Sequence, residues 1–324
     1  MRSYWLASVG VTAFTLLIAS DLSIGLAGQG QAGGESRASL SHGWTPPRTP
    51  DGQPDIQGTW TNYDSTPFET FSSSDKPGLY AGDPDGTSRG TGPASFPVDT
   101  TGRKLTRRAS LVIEPPNGRV PVKAWAEAKR DYNLAHINDS WENHTAWERC
   151  ITRGVPGGIF PASYNSGYRI VQTPGSVVIH YEMIHEARII PLDGGPHVSP
   201  AIRLWNGDSR GRWEGNTLVV DITNYNNKGN VATNIATQRI RALPQSEALH
   251  VVERFTPVDA NTINYEVTIE DPAVFDGRWK VAIPLTREPN YRIYEYACHE
   301  GNYGLPNTLS AGRAQERAQS GGTR

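Results

Sequence analysis

Residues 249–269 read LHVVERFTPVDANTINYEVTI. Leu249, Val251, Glu253 and Phe255 alternate with His250, Val252 and Arg254, and Ile263, Tyr265, Val267 and Ile269 alternate with Asn264, Glu266 and Thr268. A period of two puts each set on its own face of an extended chain, so the stretch predicts two half-buried strands. The same alternation runs through Val177, Ile179 and Tyr181, through 185–190, through Thr217–Ile222 after the turn at Glu214-Gly215-Asn216, through Trp279–Leu285 and through Ile293–Ala297. About eight strands with turn signals between them predict a mainly β fold, an antiparallel barrel or sandwich of lipocalin-like or calycin-like type.

The whole chain agrees. Its 324 residues hold 33 Gly and 24 Pro, well above the usual combined share of roughly 12%, with nine Trp and thirteen Tyr. Turn formers with β-favouring aromatics disfavour a helical bundle. A net charge of -2 argues against a nucleic-acid partner, which needs a concentrated positive field.

Residues 1–32 read as a secretory signal peptide: Arg2, an uncharged apolar run from Leu6 to Ala19, then small residues. The run is short of the roughly 20 residues a span needs, so no stable membrane span is expected after cleavage, and the expected location is periplasmic or secreted. Residues 33–110 are expected to be an extended Pro/Gly-rich arm with a surface loop over 72–102. Residues 111–309 are the expected β-barrel domain, with one flanking helix over 121–139. The stripe Trp125, Ala128, Tyr132 and Ala135 is expected to face the body. A polar tail follows over 310–324. The two cysteines, Cys150 and Cys298, are expected to pair in an oxidising compartment. The rival reading is a catalytic cysteine beside His299.

Five segments together resemble a family of exported bacterial proteins, abundant in acidobacteria and proteobacteria. They are PRTPDGQPD (47–55), Glu148-Arg149-Cys150, MIHEARIIPLDG (183–194), GDSRGRWEGNTLVV (207–220) and YACHEGNY (296–303). The resemblance covers most of the chain after the signal and implies export and a β-rich fold. It carries no activity with it.

Chemistry is read from three clusters. His299 is the first candidate general acid/base, with Glu295 four positions earlier on the same face of an extended chain and Cys298 anchoring it. His185-Glu186-Ala187-Arg188 is read as a strand, with His185 on one face for proton transfer and Glu186 and Arg188 on the other to bind substrate. Asp208, Arg210, Arg212 and Glu214 share a face, either as a charged rim that binds substrate through Arg210 and Arg212 or as an ion-pair network. Tyr265 and Trp213 are the aromatic candidates for contact with a small ligand. No His-x-His, His-x-x-x-His or nucleotide-loop spacing occurs, so no metal or cofactor is expected. Two functions compete. One is an exported cofactor-independent lyase, decarboxylase or hydrolase acting on a small aromatic or carboxylated molecule. The other is a non-catalytic lipocalin-like ligand-binding or envelope protein.

Overall fold

The structure is a computed structural model that describes residues 44–62, 66–72, 75, 108–162 and 164–321. The expected signal segment, and all of the loop over 72–102 but Ser72 and Asp75, lie outside the described residues. Ten strands form: β1 (Gly58–Thr61), β2 (Val112–Glu114), β3 (Gly167–Thr173), β4 (Ser176–Tyr181), β5 (Ala187–Pro191), β6 (Asp208–Glu214), β7 (Thr217–Thr223), β8 (His250–Asp259), β9 (Thr262–Glu270) and β10 (Trp279–Arg287). Nine follow one antiparallel path, β5-β4-β3-β1-β10-β9-β8-β7-β6, and β2 adds to β10. The path curls into a nearly closed barrel whose end strands, β5 and β6, meet through side chains. The Arg188 Nε donates to Ser209 Oγ at 3.0 Å. Beside it, a Cβ on Gly211 would lie 2.7 Å from Ile190 and Leu192, so the bare glycine lets the two strands approach.

The alternation has the expected outcome. Val251, Glu253 and Phe255 on β8, and Ile263, Tyr265, Val267 and Ile269 on β9, are at most 0% exposed, with Trp60, Tyr225 and Trp279 beside them in the core. The hairpin between β6 and β7 turns on Gly215 at φ +60° with Glu214 paired to Thr217, the two-residue turn that favours glycine first. The arm is docked: Arg48 Nη2 donates to Asn216 Oδ1 at 2.9 Å, Ile56 N to Gln172 Oε1 at 2.7 Å, and Trp213 Nε1 to Gln53 Oε1 at 3.1 Å. Cys150 and Cys298 form a disulfide across 148 positions.

Several expectations need correction. The flanking helix α1 spans Ala124–Ala135, shorter than 121–139, because Val122 bridges to Phe275 and the Pro121 carbonyl accepts from Asp276 N. Its apolar stripe faces outward: Trp125 is 50% and Tyr132 53% exposed, while Ala126 and Arg130 are buried. The polar contacts set the rotation. Arg130 donates to the Arg239 carbonyl, and Arg239 pairs with Glu127 and with buried Glu69. Residues 293–297 are not a strand. After Glu288 N donates to the Thr59 carbonyl at 2.9 Å, residues 288–297 run as a strap, and the Tyr296 carbonyl lies 2.8 Å from His185 Nδ1. The polar tail is part of a second helix, α2 (Gly304–Gly321). No helix among the described residues is long and apolar enough to cross a membrane.

Candidate functional site

The inward faces of the strands leave one polar knot in the apolar interior. Arg188 projects inward from β5 and Glu253 from β8, with an N–O distance of 2.6 Å and side chains 5% and 0% exposed. Tyr265 donates to Glu253 Oε1 at 2.8 Å, and Arg188 Nη1 lies 3.5 Å from the Tyr181 hydroxyl. Burial works against the Arg188 charge, but Glu253 and Tyr181 more than offset it and hold the guanidinium above its ordinary value. Burial first of all pushes the Tyr181 hydroxyl up to about 12. The knot is self-neutralising: Glu253 takes the place that a ligand carboxylate would take on Arg188.

The outer faces carry a different arrangement. Arg169 on β3 pairs across to His180 on β4, and the strap passes over both. It encloses an open groove of about 680 Å³ lined by Arg169, His180 and residues 289–294. A neighbouring cleft of about 370 Å³ is lined by His180, His185, Ile293, Tyr294 and Glu295. Three acid/base side chains therefore meet on one surface. Burial foremost, then His185 and Arg169, hold His180 below its ordinary value, so its imidazole is neutral near pH 7 and able to accept a proton. The strap is anchored at both ends: Tyr291 donates to buried Glu182 at 2.5 Å, and the disulfide at Cys298 closes the other end.

His185 and Glu295 are thus brought together, though not on strands. His185 belongs to a short turn over Met183–His185 in which Ile184 and His185 have φ of +64° and +44°. Two left-handed residues break the alternation before β5 begins, so the expected strand over 185–188 starts only at Ala187. Glu186 is half-buried and accepts from Thr152 Oγ1 at 2.7 Å and from Asn206. Burial raises its pKa. His299 lies in an exposed turn after Cys298, outside the cleft lining. Arg210 and Arg212 are on the outer face of β6, where Arg210 meets Asp208 at 3.2 Å and Arg212 meets Glu214 at 2.6 Å. Asp208 also binds His197 at 2.8 Å, and Asp221 lies 2.6 Å from His250. Trp213 packs against the core, and Tyr265 belongs to the buried knot.

Arg169 and Glu253 were not among the expected site residues. Glu253 had a visible signal, a carboxylate in the row of Val251 and Phe255. Arg169 had none, since only the β3–β4 register sets it opposite His180. Among the described residues, no group of three or more His, Cys, Asp or Glu is placed to hold a metal ion. No family model, curated protein or solved structure matches the chain.

Proposed function

We propose that the protein is an exported, cofactor-independent enzyme of lyase or hydrolase type that acts by acid/base chemistry on a small anionic, aromatic molecule held under the strap. The observation that carries this reading is the meeting of His180, His185 and Glu295 in one cleft, with Arg169 in the adjoining groove. Neutral His180 takes a proton from the substrate and, as the imidazolium, returns it to the product, His185 and Glu295 border the same cleft, Arg169 attracts the anion, and Tyr294 offers an aromatic face. The apolar leader, the disulfide and the kinship suggested by the five segments support export to the periplasm or beyond.

The test is product analysis of the mature, oxidised protein against a panel of carboxylated aromatics. His180→Ala should lower turnover by about 10²–10⁴-fold, the usual contribution of one general acid or base, with the melting temperature unchanged. If His299→Ala abolishes turnover and His180→Ala does not, the chemistry lies outside the cleft. One observation favours a second reading, a non-catalytic binding protein: Arg188, Arg210 and Arg212 are all paired with carboxylates of the chain itself. Saturable ligand binding without turnover across the panel would establish it.

A further inference from the structure

The chain buries another arginine in the opposite electrostatic condition from Arg188. Arg153 is 2% exposed, in a loop whose residues 152–162 are all buried. Its Nη2 donates to the Phe160 carbonyl at 3.4 Å. Nε and Nη1 are buried with no hydrogen-bond partner among the described residues. After burial, the groups that bear most on its charge are tyrosines: Tyr168, Tyr164, Tyr296 and Tyr181. Burial lowers its pKa and the tyrosines act the other way, but a guanidinium does not lose its proton in a protein. A cation is therefore held out of water with no acid among the described residues to neutralise it, a condition that is costly for a buried ion.

The fold builds this place deliberately from three directions. The disulfide holds the Cα atoms of Cys150 and Cys298 5.6 Å apart, which draws together the segment of Arg153, three residues after one cysteine, and that of Tyr296, two residues before the other, whose hydroxyl bears on the Arg153 charge. Tyr168 and Tyr181 come from the β3–β4 hairpin as an edge-to-face pair with centroids 5.7 Å apart. Tyr164 and Tyr296 stack at 6.5 Å with their hydroxyls 3.4 Å apart. Tyr164 is 45% exposed, so the outer pair reaches solvent while the cation does not. Asn62 donates to the Tyr168 hydroxyl at 3.4 Å, and its own Oδ1 is buried without a partner.

We propose that Arg153 and its four tyrosines form a binding site for the carboxylate of a small, flat monoanion. The guanidinium fork matches a carboxylate, phenol hydroxyls donate to the same oxygens, and aromatic faces accept a flat body. One cation with neutral neighbours balances one negative charge; a dianion such as phosphate would leave a net charge in the same buried space. The site stands on the unpaired cation alone and does not depend on the chemistry proposed for the cleft.

Benzoate is the probe, with inorganic phosphate as the comparison, in calorimetric titrations and thermal melts of the mature, oxidised protein at pH 7. Benzoate should bind saturably at one site and raise the melting temperature, and phosphate should do neither. Arg153→Met should weaken benzoate at least tenfold while the ligand-free protein melts at or above the wild-type temperature, because a buried unpaired charge has been removed. Tyr296→Phe, which deletes one hydroxyl at the outer pair, should weaken benzoate and leave the fold intact. Arg153→Met leaves every cleft side chain in place, so benzoate held in the cleft would bind this variant as it binds the wild type. Absence of benzoate binding to the wild type, equal binding to Arg153→Met, or a marked fall in melting temperature of ligand-free Arg153→Met would each overturn the proposal, the last by making Arg153 a structural residue.

Discussion

Replacing Glu253 by Gln keeps the size and shape of the side chain and removes its charge. Arg188 is then left in the interior with no counter-ion. The pair is separated by 2.6 Å with side chains 5% and 0% exposed, so water does not screen the change. Breaking a buried pair from one side costs about 3–5 kcal/mol, chiefly because the surviving charge is stranded. At about 2–4 °C per kcal/mol for a domain of this size, the melting temperature should fall by roughly 6–20 °C. Tyr265 keeps a partner, since an amide oxygen accepts its proton as a carboxylate did, so the loss reports the charge rather than an orphaned hydroxyl. The assay is urea unfolding of wild type, Glu253→Gln, Arg188→Met and the double variant Arg188→Met/Glu253→Gln. The double variant should recover most of the loss, because neither charge is then left stranded and Tyr265 keeps its acceptor. A loss below about 1 kcal/mol in Glu253→Gln, or a double variant as unstable as the sum of the singles, would refute the reading of the knot as a closed, self-neutralising pair.

Three further outcomes are expected. Reducing the disulfide frees a loop of 148 positions, which chain entropy values at about 5 kcal/mol, so a reductant should lower the melting temperature by many degrees; an unchanged melt would contradict it. His180 is held below its ordinary value, so the unfolded chain takes up that proton first. Its contribution is then complete above about pH 6.5 and is lost as the pH falls through the folded value. Urea midpoints between pH 5 and 7 should show a shallower slope in His180→Gln, and an identical slope would remove His180 as the cause. On α1, Ala126 is fully buried and Ala128 exposed, so Ala126→Leu should cost about 1–3 kcal/mol by overpacking and Ala128→Leu should stay within about 0.5 kcal/mol. The reverse ranking would restore the stripe through Trp125 and Tyr132 as the buried face.

The strands were legible because alternation is a local property, and burial of one face makes it strict. Val251, Phe255, Tyr265 and Val267 could be assigned inward from the sequence, and so could the disulfide. The face of α1 could not. Its apolar residues outvote its polar ones on the helix surface, and only the distant pairs Arg239–Glu69 and Arg239–Glu127 turn Glu127 and Arg130 toward the body. The site shows the same division. His185 and Glu295 were both visible as candidates, but the strand expected at each position was absent. At His185 two left-handed residues intervene, and at Glu295 the chain bonds to a histidine side chain instead of a neighbouring strand. The meeting of His180 with Arg169 depends on strand register, which no single segment records.

The two buried arginines show how local rules and function separate in this chain. Arg188 satisfies every rule for a buried charge: a carboxylate at 2.6 Å, a serine hydroxyl at 3.0 Å and a tyrosine at 3.5 Å. It closes the seam between β5 and β6 and has no need of a ligand. Arg153 breaks the same rules a short distance along the chain, with two unpaired nitrogens and no acid set against it among the described residues. Other buried polar atoms of the described residues also lack partners, but Arg153 is the one residue among them with two, and a buried group left unsatisfied calls for an explanation. The carboxylate clamp expected at Arg188 is therefore proposed at Arg153 instead: the first has its anion built in, and the second is an unpaired cation among tyrosines near the disulfide.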